Sequence, residues 1–404
     1  MSKALQALSL CIALFSGLVA SQAGVMTREQ IIAEAETRAV AWFDAANWNF
    51  WARTWEDGVF FTGVADLARV SDEAKLWMAL DKVGNRNTKI RNIALGKWIL
   101  MYHAKATEPH HADDMAIGEA FLAVYEKTRD PAILNDTLRR VDAASASILS
   151  KERAEKAAKA HELHWQEGLT WYWIDALFMA APLHAHLSAI TGNPSYIKAM
   201  HIEWKRASDL LYDQKEHLYF RDKKFLTKRS KSGKKIFWSR GNGWVMGAFA
   251  RAIPLIPKDD PQRGWYINQF KEMAAKLASL QQPDGTWSPS LLDYERFPYS
   301  EMSGTVFYCF GIAWGINSGI LDDKTYRPVV EKAWAAVLAA MTEEGNLGYI
   351  QGVGAEPDRV FADKFTHYGN GAYLMAAVQV AAMAPITVPP LPALRAAPRP
   401  GKKQ

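Results

Sequence analysis

Three short segments carry residues able to do acid–base or anion-binding chemistry. The first reads His110-His111-Ala112-Asp113-Asp114-Met115-Ala116-Ile117-Gly118. Adjacent carboxylates at a helix start can cap the helix and favour its dipole. They can also act on a substrate, or join the histidines around a metal. No HExxH-type spacing supports a metal, and none is expected.

The second segment is Trp171-Tyr172-Trp173-Ile174-Asp175-Ala176-Leu177-Phe178-Met179, with His164 shortly before it. Asp175 follows three aromatic residues and opens an apolar run. A carboxylate walled by tryptophan is desolvated, which raises its pKa toward that of a usable general acid. A plain helix cap is the competing reading. Trp171 and Trp173 point oppositely if extended, so one can be core and the other a sugar platform.

The third segment is Trp238-Ser239-Arg240-Gly241-Asn242-Gly243-Trp244. Glycine on both sides of Asn242 predicts a turn that presents Arg240 and Trp244 together. A guanidinium beside indole faces suits a carboxylated sugar, gripped at the carboxylate and stacked on the ring. The alternative is a loop whose tryptophans pack under helices. No GxGxxG, GxxxxGKS or GxSxG pattern is present, which argues against nucleotide binding and against a serine-hydrolase elbow.

These segments need a scaffold, and the periodicity supplies helices throughout. Apolar residues recur at helical spacing over 26–47, 57–69, 72–102 (with a possible break at Gly84), 113–128, 132–149 and 172–190. They do so again over 194–212, 242–256, 262–281, 302–318, 322–342 and 367–384. No alternation of strands with helical crossovers appears, so a doubly wound or TIM-type fold is excluded.

A repeat underlies the series. Asp130-Pro131, Asn193-Pro194, Asp260-Pro261 and Asp323-Lys324 each open a helix, at spacings of 63, 67 and 63 residues. An Asp or Asn cap before Pro is a helix-start signal, because the cap oxygen satisfies a free N–H and Pro lacks one. The repeat is therefore a helical hairpin, and the chain has room for six. Short turns on one side and long glycine- and aromatic-rich loops on the other predict an all-α, closed (α/α)6 barrel of six hairpins, as a single domain over 24–386. The site belongs on the long-loop face.

The chain ends differ from the body. Residues 1–23 have Lys3, an apolar run over 7–20 and a small-residue end at Ser21-Gln22-Ala23, the layout of a secretory signal peptide. An exported protein, periplasmic or secreted, is expected, with no membrane anchor after cleavage and no disulfide, because Cys11 leaves and Cys309 remains alone. Residues 387–404, rich in Pro, Ala and basic side chains, are expected to be a disordered tail. The net charge of +5 belongs to these ends: Lys3, Arg395, Arg399, Lys402 and Lys403 account for it and leave the body neutral. Seven basic residues over 223–235 read as a solvated loop, so no nucleic-acid partner is expected.

The blocks HADDMAIG, WYWIDALFMAAP, WSRGNGWV, SEMSGTVFYCFGIAWGINSGIL and HYGNGAYLMAA occur in this order. Together they resemble glycoside hydrolase family 105, the unsaturated rhamnogalacturonyl hydrolases, related to the unsaturated glucuronyl hydrolases of family 88. The likeness spans about Trp42 to Ala382 and implies an (α/α)6 barrel. It implies a substrate left by a polysaccharide lyase, an oligosaccharide ending in a 4,5-unsaturated uronate. An aspartate protonates C4, water adds at C5, and the resulting hemiketal opens to release the rest of the chain, with no metal or cofactor.

By this resemblance Asp175 is the acid/base and Asp113 the assisting carboxylate, with Asp114 adjacent to it. His164, Trp173, Arg240, Trp244 and Trp238 line the uronate subsite. Relatives often carry a histidine after Leu-Tyr where this chain has Phe220, which leaves pectin, ulvan and glycosaminoglycan fragments open as sources. A different (α/α)6 glycosidase or epimerase, or a non-catalytic binder of acidic oligosaccharides, are the alternatives.

Overall fold

The structure, a computed structural model, describes residues 24–45, 54–90, 111–164 and 166–399. The expected signal peptide, His110 and the last basic residues of the tail lie outside them. Among the described residues the chain forms helices α1 (Arg28–Ala45), α2 (Trp55–Ala68), α3 (Ala74–Ile90), α4 (Gly118–Thr128), α5 (Asn135–Leu149) and α6 (Lys151–Ala158). It continues with α7 (Asp175–Thr191), α8 (Pro194–Leu211), α9 (Ser239–Ala252), α10 (Arg263–Leu280), α11 (Met302–Asn317), α12 (Asp323–Ala339) and α13 (His367–Ala382). The short α6 is an addition to the expected series.

Helices α2, α4, α7, α9, α11 and α13 pack each on the next, and α13 returns to α2, so the ring is closed. The other long helices pack outside it, giving the (α/α)6 barrel of six hairpins. Burial explains the two classes. Along α11 every residue from Met302 to Gly315 is buried, which demands an apolar helix on all faces. Outer α5 buries only Thr137, Val141, Ala144, Ser145 and Ile148, one stripe at helical spacing. Where α13 meets α2, a Cβ on Gly371 would lie 2.5 Å from Phe60 Cα, so glycine permits the close crossing.

Two of the predicted caps operate, while in the third repeat Asp260 takes the Gln262 N–H at 2.7 Å ahead of α10, and Gln262 at its start makes no side-chain cap bond. Asn193 Oδ1 accepts the Ser195 N–H at 3.0 Å, and Asp130 Oδ1 accepts that of Ala132 at 2.9 Å. In the fourth repeat the cap is Asp322, one residue earlier than expected, taking the Thr325 N–H at 2.8 Å. Helix α3 runs through Gly84 unbroken. Each outer helix reaches its inner neighbour by a long connection, so all six inner helices point their N-termini at the long-loop face.

The expected disordered tail is not observed as far as residue 399. Strand β4 (Ile386–Val388) pairs antiparallel with β1 (Gly24–Met26). Beyond it, the Arg395 carbonyl accepts the Ser300 N–H at 2.9 Å, and the Ala397 N–H donates to Val360 at 2.7 Å. An extended Pro-rich segment has little backbone entropy left to lose, so a few bonds suffice to fix it.

Candidate active site

Asp175 is the first residue of α7, at the long-loop end of the ring. The turn before it is held by a two-stranded clasp. Trp173 bridges Asp222, and the Ile174 N–H donates to the Arg221 carbonyl at 3.0 Å. This fixes Arg221 beside Asp175: Arg221 Nε lies 3.5 Å from Asp175 Oδ2. Burial pushes the Asp175 carboxyl above its ordinary pKa, against the opposing pull of the Arg221 and Arg240 charges. Asp175 Oδ2 accepts no hydrogen bond from a described residue. A buried oxygen left open in this way can exchange a proton with a bound molecule.

Asp113 lies in a single 3₁₀ turn (Ala112–Met115) on the same face. Its pKa is pushed up to about 7, by burial first and then by the Asp175 and Asp114 charges, with Arg221 pulling the other way. The His111 ring stacks on Trp173 at 4.8 Å, and its Nδ1 lies 3.8 Å from Asp113 Oδ2. Asp114 turns elsewhere, to Arg140 at 3.4 Å on outer helix α5. Of the adjacent carboxylates, Asp113 is the one that shares a field with Asp175.

The segment around Arg240 departs from expectation. Ser239 opens α9, so Gly241 and Gly243 lie within the helix and form no turn. Gly243 instead lets α9 approach α11, since a Cβ there would meet Gly304 Cα at 3.2 Å. Arg240 is 2% exposed. Its Nη1 donates to the Gln351 carbonyl at 2.7 Å and to Tyr368 Oη at 2.9 Å, and its Nη2 to the Gly352 carbonyl at 2.9 Å. Three of its five N–H groups are thus taken by bonds within the fold.

Trp238 lies under the guanidinium at 4.3 Å and donates to Gln351 Oε1. Trp244 is buried among Trp55, Phe178, Phe307 and Tyr368. Trp238 packs beneath Arg240 and Trp244 in the core beside Tyr368, and both indoles are buried. Half-buried aromatic faces belong to Trp55 and to Tyr172, which leans on Trp173 at 4.4 Å. His164 is exposed in the turn that follows α6, where its carbonyl accepts the Glu167 N–H. Among the described residues no group of three or more His, Cys, Asp or Glu is placed to hold a metal.

Arg221 and Asp222 are what the residue patterns missed. Their signal was weak, a charged pair at the head of the basic stretch 223–235, and only the pairing with Trp173 brings them to Asp175. Phe220, by contrast, is buried against Phe237 at 4.6 Å.

The family profile described as Glycosyl Hydrolase Family 88 matches residues 25–384. The chain belongs to glycosyl hydrolase family 88. It is a glycosidase, and the blocks that resemble family 105 and its relative family 88 lie within the matched span. An "Unsaturated 3S-rhamnoglycuronyl hydrolase" of Formosa agariphila is 33% identical over 402 residues, 94% of this chain and 98% of its own. The solved "Glycosyl hydrolase family 88 from Bacteroides vulgatus" superposes with a TM-score of 0.75 at 27% identity, over 88% of this chain and 99% of that one. A family 105 glycoside hydrolase of C. acetobutylicum shares the fold, with a TM-score of 0.65 at 18% identity over 88% and 99%.

Proposed function

We propose that this family 88 glycosidase removes the terminal 4,5-unsaturated uronate from oligosaccharides made by polysaccharide lyases. The observation that carries the reading is the pair Asp175 and Asp113, two carboxyls held above their ordinary pKa on one face of the barrel. Such a pair keeps a proton near neutral pH, where isolated carboxyls have none.

In this reading protonated Asp175 gives its proton to C4 of the vinyl ether. Water adds at C5, and the Asp175 carboxylate takes the proton that water sheds. The C5 hemiketal then opens to a ketone, and the hemiacetal formed at C1 releases the remaining saccharide as an alcohol. One water is consumed and Asp175 is restored. Asp113 assists by setting the charge around it. Arg240 supplies buried positive charge beneath the site.

The relative's name and the family 105 resemblance both join rhamnose to an unsaturated uronyl unit, so we infer a fragment in which these two are linked. Lyase digests of rhamnogalacturonan and of ulvan, followed by loss of the double bond's ultraviolet absorbance and by chromatography, test it. Turnover of saturated oligosaccharides instead would overturn the reading.

Export is part of the same proposal, supported by the signal-like pattern of residues 1–23. No described helix is long and apolar enough to cross a membrane. Cell fractionation of the producing organism tests the placement.

A further inference from the structure

We propose that a basic groove between three long loops is a distal subsite, which takes the acidic groups of the oligosaccharide beyond its terminal uronate. The inference rests on the hydrolase reading above. The groove is a cavity of about 670 Å³ lined from the segments 228–236, 290–297 and 351–358. That volume is within the range of ligand-binding clefts. The three segments lead into the inner helices α9, α11 and α13, so the groove opens on the long-loop face.

Arg240 relates the groove to Asp175. The Gln351 and Gly352 carbonyls that accept from Arg240 belong to residues lining the groove. The same guanidinium charge bears on Asp175. Helices α7 and α9 are neighbours in the ring. A chain with its end at Asp175 therefore has this groove beside it, one helix further round.

The lining is cationic and its charge is open. Arg229, Lys231 and Arg296 are exposed and form no ion pair among the described residues. Arg229 Nη1 donates to the Leu226 and Lys228 carbonyls, which fixes the side chain without neutralising it. Arg296 lies over the half-buried Phe297 ring at 5.3 Å. The acidic lining residues are Glu356, held by Lys228 at 2.5 Å, and Asp358, whose Oδ1 takes the Arg359 N–H. Guanidinium and ammonium groups left in this state attract carboxylates and sulfate esters. Phe297 and the exposed Val353 add apolar surface for a sugar face.

The walls are set in advance. The Lys228–Glu356 pair joins the first loop to the third, and Gln351 Nε2 donates to the Glu356 carbonyl at 2.8 Å. Little ordering is then left to oppose binding. Lys228, Arg229 and Lys231 come from the basic stretch 223–235, so part of that charge lies on the working face.

The test compares an unsaturated disaccharide with the tetrasaccharide of the same lyase digest. Wild-type kcat/KM should be higher on the longer chain by about 3- to 30-fold, as two or three partly exposed charge contacts predict. Added salt should shrink this ratio, because such contacts are screened. In the triple variant Arg229→Gln, Lys231→Gln, Arg296→Gln the ratio should fall to within about twofold of one. Tetrasaccharides lacking sulfate esters, or lacking the internal uronate carboxylate, tell which anion the groove reads. The ratio falls with the group that it binds. A ratio that survives loss of both anions, or that the triple variant keeps, overturns the inference. So does a wild type with no preference for the longer chain. A wild type inert on both lengths sinks the hydrolase reading itself, a separate result.

Discussion

The side-chain amide of Asn242 closes on the backbone of Tyr219 from both sides. Its Oδ1 accepts the Tyr219 N–H at 2.8 Å, and its Nδ2 donates to the Tyr219 carbonyl at 3.0 Å. Tyr219 ends β3 (Leu218–Tyr219), the partner of β2 (Tyr212–Asp213), two residues before Arg221, so an inner-helix residue fixes the strand that precedes Arg221. Asn242→Leu removes three buried bonds, the third from Nδ2 to the Trp238 carbonyl at 3.1 Å, and leaves both Tyr219 backbone groups without this partner. A loss of about 2–4 kcal/mol in urea unfolding is expected, with kcat falling more than stability at 25 °C accounts for. An unchanged unfolding midpoint would contradict this role.

Asp175→Asn keeps the volume at the head of α7 and removes the titratable proton. Activity on unsaturated uronyl substrates should fall by about 10²- to 10⁴-fold. The helical circular dichroism should stay as in wild type. Residual activity within tenfold of wild type would show that Asp175 is not the proton donor.

Asp113 and Asp114 should behave oppositely despite adjacency. Asp113→Asn removes the group that titrates at about 7. The wild-type rate should decline as pH rises through that value, and the variant should lose this limb along with most of its rate. The stability effect has the other sign. A carboxyl whose folded pKa lies above its unfolded value costs stability as pH rises from about 4 through 7. Asp113→Asn should therefore melt higher than wild type at pH 8 and equally at pH 4. Asp114→Asn should keep the declining limb of the rate but move it to lower pH, because the Asp114 charge helps raise the Asp113 carboxyl, and should weaken the Arg140 contact by about 0.5–1 kcal/mol.

His186 ties three inner helices together. Its Nε2 lies 3.0 Å from Glu126, and its Nδ1 3.5 Å from Glu119, which Arg251 also holds at 2.8 Å. The two glutamates hold the imidazolium up to about 9, against the desolvation that opposes it. A raised histidine pKa contributes stability that is complete below about 6.5 and lost as pH rises through 9. Glu126 is held down to about 2, chiefly by its bond to His186, so its contribution persists until strong acid. Thermal unfolding should show a falling midpoint between pH 7 and 9.5 in wild type. His186→Gln should start lower and lose that dependence.

The amino-acid sequence by itself determined the helices, their pairing and the face of the barrel that carries the long loops. Caps such as Asn193 and Asp130 are local: the oxygen that starts the helix sits two residues from the N–H it takes. Whether a helix is inner or outer is also local, because burial on every side demands the continuous apolar run of α11. Asp175 was legible for the same reason, as a carboxylate between aromatics and an apolar helix.

Three-dimensional contacts decided the rest. Arg240 reads as a ligand in WSRGNGW, and its internal bracing follows only from Gln351, Gly352 and Tyr368, more than a hundred residues away, which present oxygens to it. Trp238 then falls beneath that brace, and Trp244 packs in the core beside Tyr368. The end of the chain reads as disordered from its composition, yet β4 is held by β1 from the opposite end of the domain. Arg221 carries no local pattern at all. Its place beside Asp175 follows from a bridge across 49 residues, between Trp173 and Asp222. Local chemistry and periodicity are written in neighbouring residues. The partner that consumes a side chain's hydrogen bonds is set by the closure of the ring.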